Sequence, residues 1–220
     1  MNRLCRALLY FAVLTVLRIP IFAENDEHSV GADFERDMEA ISSLFPRTEG
    51  SAGEAAAIRY VTQELEQIGV DHSVLSLTTI EHNHSFSSSI YATIPGKAEH
   101  EFLFVVPLDH SSDADPDADG SVNIALGLAL ARRLHGETPP INVRILFLGA
   151  ESGEAAHYPI GSRHFLDSFF PETPVAVFYC DFRSPPERII IRTGDKGFVS
   201  PYWLADSCAN SLDAVGLFYL

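Results

Sequence analysis

Phe102-Leu-Phe-Val-Val-Pro-Leu108 is an unbroken apolar run that ends on Asp109. A short run of this kind, without alternation, reads as a strand buried on both faces. The form returns at Val143 to Leu148, just ahead of Glu151, and at Val175 to Tyr179, just ahead of Asp181. Ser121 to Leu134 is apolar on almost every side, which predicts a buried helix, and Gly161 to Phe170 predicts a second. Strand, helix, strand, helix, strand is the pattern of a parallel sheet with helices packed on it. The expected fold class is α/β, a mostly parallel central sheet with helices on both faces.

Upstream, Phe34 to Phe45 reads as a helix stopped by Pro46, after a polar lead-in over residues 24–33. Ile58, Val61, Leu65 and Ile68 share one helical face, and Gly69 ends that helix. Val70 to Leu77 and Ser85 to Ile94 alternate as strands do, and Pro95-Gly96 turns the chain. Downstream, Arg188 to Arg192 predicts an edge strand and Pro201 to Val215 a last helix, with Tyr202 and Trp203 expected in the core. No internal repeat is visible.

The start of the chain differs from the rest. Arg3 and Arg6 precede an apolar run from Ala7 to Leu17, and Ile21-Phe22-Ala23 ends on a small residue before Glu24. This is the shape of a secretory signal peptide cut after Ala23, and the run is short for a membrane span. The expected organisation is a signal peptide over 1–23, a lead-in and helix over 24–46, and an α/β domain over 47–220. Export to a periplasmic or extracellular space follows, with an uncleaved N-terminal anchor as the alternative.

The 220 residues carry a net charge of -15. The first 23 hold three arginines and no acid, so the remainder carries 12 basic and 30 acidic residues. Such a balance argues against nucleic acid and anionic membranes as partners. Cys180 lies in an apolar run and reads as a buried thiol; its pairing with Cys208 is left open by the sequence, and no Cys/His zinc spacing occurs. Asp113 to Asp119 alternates acids, but Pro116 interrupts it and Ile124 stands where a calcium loop needs its closing Glu.

The chemistry-bearing feature is the placement of the acids. Asp109, Glu151 and Asp181 each follow a buried strand, and ligands of open parallel sheets gather at the carboxyl ends of strands. Asp119 precedes the buried helix and would join them; the plainer alternative is that it caps that helix. Carboxylates that converge must be solvated, protonated or bound to a cation.

These segments, in this order, resemble metallopeptidase family 28, the co-catalytic zinc aminopeptidases that also include the animal-type glutaminyl cyclases. The resemblance is carried by Arg47-Thr-Glu-Gly-Ser51, by Ile94-Pro-Gly96 before a strand, and by Ala118-Asp-Gly-Ser121 running into Leu128 to Leu134. Gly149-Ala-Glu151, Gly161-Ser-Arg163 and Tyr179-Cys-Asp181 complete it. It implies two zinc ions, with Asp119 bridging them, Asp181 a terminal ligand, Glu151 the general base on a metal-bound water, and Asp109 orienting a histidine ligand. It also implies peptide or protein N-termini as substrate or ligand. The chain departs from the pattern: the histidine position is Pro107, a second glutamate position is Ser152, and no histidine follows His164, where the last ligand belongs. In the neighbouring register Glu151 would be the ligand and Ala150 the lost base. His110, Glu154 and His157 are candidate replacement ligands, whereas His82 and His84 read as surface residues. The expectation is an exported zinc-aminopeptidase-like protein, C-terminally incomplete, with hydrolysis impaired or lost. A single-metal enzyme completed by the replacements and a non-catalytic peptide- or protein-binding domain are the alternatives.

Overall fold

The computed structural model describes residues 27–77, 87–152, 159–168, 174–182, 194–195, 198–199 and 202–214. The expected signal peptide, His82, His84, Glu154, His157 and the strand over Arg188 to Arg192 lie outside the described residues. Two compact units divide the chain, Asp33–Ser184 and Met1–Ala32 with Pro185–Leu220.

Helix α1 (Glu27–Ser42) begins inside the stretch expected to be a loose lead-in. Helix α2 (Ala52–Ile68) starts on Ser51, whose side chain accepts from the Glu54 N–H, and stops on Gly69 at φ 82°. Strands β1 (His72–Leu77), β2 (Ser87–Ile94) and β3 (Ala98–Pro107) follow, then helix α3 (Ser121–Leu134), strand β4 (Ile141–Leu148), helix α4 (Ile160–Ser168) and strand β5 (Pro174–Tyr179). The sheet is mixed, in the order β1-β2-β4-β3-β5. Its centre is parallel: β3 pairs with β4 and with β5. Strands β1 and β2 extend it antiparallel.

From β3 the chain crosses through α3 to β4 on one side, and from β4 through α4 it skips over β3 to β5 on the other. Right-handed crossovers running in opposite directions put their helices on opposite faces. Alternate residues of β4 record this. Ile145 and Phe147 face Gly127 of α3. Leu146 and Leu148 pack with Tyr91, Leu103, Val105 and Phe165, the last from α4. The loops leaving β3 and β4 therefore part to opposite faces, the kind of switch point whose crevice binds ligands in open α/β sheets.

Helix α3 is buried on nearly every side because the sheet lies beneath it and α2 beside it. Its cationic end finds a partner: Asp37 of α1, buried, accepts from Arg132 of α3, from Tyr60 of α2 and from Arg36. The second unit contains the antiparallel pair β6 (Gly194–Asp195) and β7 (Phe198–Val199) and helix α5 (Tyr202–Ala214). Tyr202 and Trp203 are exposed, contrary to expectation, because they sit off the stripe Cys208, Ser211, Leu212 that the helix buries. Among the described residues, no helix is long and apolar enough to cross a membrane.

Gly127 lets α3 lie against β4: a Cβ there would stand 2.6 Å from Phe147 Cε1. Gly127→Val is expected to destabilise the fold by about 2 kcal/mol through overpacking. Urea denaturation followed by circular dichroism checks this, and an unchanged midpoint would contradict the packing described.

Candidate functional site

The parallel register brings the three acids to one edge. Pro107 pairs with Leu148 and Val105 with Tyr179, so β3, β4 and β5 end together, and Asp109, Glu151 and Asp181 follow at that end. Their charges meet at Tyr179. Tyr179 is 47% exposed, yet its hydroxyl is pushed above the usual phenol value, first by its partial burial and then by the negative charges of Glu151 and Asp181, with Asp109 also contributing.

Each acid is held differently. Asp109 Oδ1 accepts from the Glu151 N–H at 2.9 Å and Oδ2 from the Ser152 N–H at 2.8 Å. Burial raises its pKa in spite of these two donors. Where the resemblance implies that Asp109 orients a histidine, this carboxylate shapes the loop after β4. Glu151 Oε2 accepts from the Ser162 N–H in the first turn of α4 at 2.8 Å, and Oε1 accepts from the Tyr179 hydroxyl at 3.2 Å. Burial raises its pKa as well. Asp181 is exposed. Its backbone is fixed by Asn123 of α3, whose amide takes the Phe182 N–H at 2.8 Å, donates to Phe182 O at 2.9 Å and lies 3.6 Å from the Cys180 thiol. Cys180 is buried, as read from the sequence.

Asp119 is held by an arginine. Its Oδ2 accepts from Arg47 Nη1 at 2.8 Å and its Oδ1 from the Ser121 N–H at 2.9 Å, so it also satisfies a donor at the start of α3. Burial alone would raise its pKa, but the hydrogen bond and charge of Arg47 hold it below the usual carboxylate value. Arg47 is 1% exposed and donates further to Leu108 O, Ile41 O and Asp119 O. His110, a candidate replacement ligand, has both ring nitrogens engaged: Nε2 accepts from the Arg47 N–H at 2.8 Å, and Nδ1 faces Ser111 O at 2.8 Å, which it donates to in that tautomer. Phe45 stacks on its ring at 4.8 Å between centroids. A ring fixed in this way offers no lone pair to a metal.

Sequence reasoning missed Glu54. It lies in the first turn of α2, is 1% exposed, and accepts from Ser87 Oγ at 2.6 Å, the Ala150 N–H at 3.0 Å and the Gly50 N–H at 2.7 Å. The pattern Ser51-x-x-Glu54 reads as a capping box, the available signal, but here the glutamate reaches across to another element instead of back to its own cap. Arg47 was quoted only as part of a motif. Neither partner of these two residues is within 60 positions on the β3 and β4 side, so no local spacing reveals them.

Solved structures share this fold. A leucine aminopeptidase precursor from Bacteroides thetaiotaomicron matches at a TM-score of 0.58 and 16% identity, over 76% of this chain and 64% of its own. A putative zinc-dependent exopeptidase from Bacteroides vulgatus matches at 0.57 and 15%, over 82% and 65%. Tannerella forsythia glutaminyl cyclase matches at 0.55 and 19%, over 69% and 61%. The fold is that of the zinc-dependent exopeptidases and glutaminyl cyclases. The family 28 resemblance read from the sequence is met at the level of fold. This chain spans less than two thirds of the length of these exopeptidase-fold structures. No family model matches it, and no curated protein does.

The zinc that such enzymes use does not fit the residues described. Catalytic zinc takes three protein ligands as a rule. Pro107 has no side-chain donor atom, serine at 152 is a poor zinc ligand beside the glutamate the resemblance implies, and both ring nitrogens of His110 are engaged. Among the described residues, no group of three or more His, Cys, Asp or Glu side chains is arranged to hold a metal ion.

Glu54, Asp109 and Glu151 hold protons more tightly in the fold than in the unfolded chain, because their pKa values are raised. Stability is therefore expected to fall as pH rises from the ordinary glutamate value of 4.5 towards the raised values, by up to about 1.4 kcal/mol per pH unit for each such carboxyl. Urea titrations between pH 4 and 7 check the sign. In Glu54→Gln the slope should be shallower, because one titrating carboxyl is gone, and the curve lower, because an amide offers one oxygen where the Ala150 and Gly50 N–H groups use two.

Proposed function

We propose that this chain is an exported, exopeptidase-type domain that no longer hydrolyses peptides and whose crevice binds a free peptide N-terminus. The observation that carries the reading is Pro107 at the place where the resemblance puts a zinc-binding histidine, beside an Asp119 already neutralised by Arg47. Without the metal there is no activated water. What the crevice keeps is acceptor chemistry: the Glu151 carboxylate, the Tyr179 hydroxyl and the exposed Asp181 at one sheet edge. A primary ammonium offers three N–H donors and a positive charge, which suits that set. Export is supported by the basic and apolar start ending at Ala23 and by the acidic remainder of the chain.

One observation favours retained hydrolysis as a second reading. Burial raises the Glu151 pKa, the direction in which a carboxylate general base is tuned. Glu154 or His157 would then have to complete a metal site.

The two readings separate in one experiment on the chain from Glu24 onward. A short peptide with a free N-terminus should bind without being cleaved, acetylation of that N-terminus should weaken it about tenfold, and Glu151→Gln should do the same, the scale of one charge-assisted hydrogen bond. Zinc-dependent release of the N-terminal residue, abolished in Glu151→Gln, would establish the hydrolase instead. Binding indifferent to acetylation would remove the N-terminus as ligand.

A further inference from the structure

We infer that in this chain Asp119 is the partner of an internal cation, Arg47, and is not a metal ligand. The inference deepens the reading that zinc hydrolysis is gone. The guanidinium lies between three segments. Nε donates to Leu108 O at the end of β3, Nη1 to Ile41 O in α1 and to Asp119 Oδ2, and Nη2 to Asp119 O at 2.6 Å. Four of its bonds are thus made inside the protein, and the backbone of Arg47 is fixed in turn by His110, through the Nε2 acceptor and through the His110 N–H to Arg47 O at 3.1 Å.

A buried guanidinium with this many bonds cannot swing aside without stranding three carbonyl oxygens and a carboxylate. Its Nη1 stands 2.8 Å from Asp119 Oδ2, at a side chain only 5% exposed. A divalent ion on the lone pairs that remain would share one negative charge with a fixed positive one and be repelled by it. The Ser121 N–H already occupies one side of the other oxygen. The charge that a metal would supply at Asp119 is therefore supplied by the protein, and the carboxylate's task is to tie the loop before α3 to the segment before α2.

The geometry also says what losing either member does. Removing one leaves the other buried and uncompensated, whereas removing both for apolar groups of similar volume does not. The test compares the full chain with Asp119→Asn, Asp119→Leu, Arg47→Met and the double variant Arg47→Met/Asp119→Leu, measuring zinc binding by calorimetry and stability by urea denaturation. Zinc affinity should change less than twofold between wild type and Asp119→Asn. Each single variant should lower the urea midpoint, and the double should recover more than half of the larger loss.

Zinc held tightly by wild type and weakened tenfold or more in Asp119→Asn would overturn the inference. So would losses that merely add in the double. Should Arg47→Met not fold, Asp119→Asn, which keeps an oxygen acceptor for Arg47, decides the metal arm alone. Zinc held equally by wild type and Asp119→Asn would support the inference while removing the non-hydrolytic reading, since the ligands would then lie elsewhere.

Discussion

Four consecutive backbone N–H groups turn inward where β4 ends, and buried N–H groups must find acceptors. Gly149 meets Ser89 Oγ of β2, Ala150 meets Glu54 of α2, and Glu151 and Ser152 meet the two oxygens of Asp109 after β3. Three different elements thus converge on one turn. Ala150 sits at φ 51°, a conformation that costs a non-glycine residue about a kilocalorie or more, and it persists because its neighbours over-determine it. The turn in turn aims Glu151 at the start of α4. Gly161 is needed there, since a Cβ would come within 2.3 Å of Gly149 O.

This accounting assigns most of the crevice acids before any ligand is considered. Glu54 and Asp109 serve backbone donors, and Asp119 serves an arginine and the first turn of α3. Glu151 is divided between a helix N–H and a phenol, and Asp181 remains exposed. An acid-rich sheet edge is therefore compatible with an architecture in which charge is balanced from within. Helix dipole, guanidinium and amide donors contribute to that balance.

The parts of the fold that were legible in the sequence are those set by local pattern. Helix α3 matches its predicted span from Ser121 to Leu134, because twelve of its fourteen side chains are buried and no other period fits. The apolar runs at Phe102, Val143 and Val175 emerge as β3, β4 and β5, although β5 lies at the sheet edge with Val177 and Tyr179 exposed and so is not buried on both faces as expected; the acids after them reach one edge because parallel pairing leaves no alternative. The polar lead-in was misjudged: Glu27 to Ala32 lacks an apolar stripe, and the helix there continues from a segment whose stripe, Phe34, Asp37 and Ile41, includes a charge. That Asp37 is core is unreadable locally, since its partners Arg132 and Tyr60 come from two other helices. The same reason hid Glu54 and Arg47.

Long separations along the chain have a kinetic side. Arg47 and Asp119 are 72 residues apart, and Glu54 and Ala150 are 96 apart. Closing loops of this length costs entropy before any contact repays it. During synthesis, α1 and α2 leave the ribosome long before their partners exist, and at some 5–20 residues per second the wait to reach residue 150 is on the order of ten seconds. The bonds that lock the N-terminal helices to the sheet can form only after Asp119, and then β4 and the turn beyond it, have emerged.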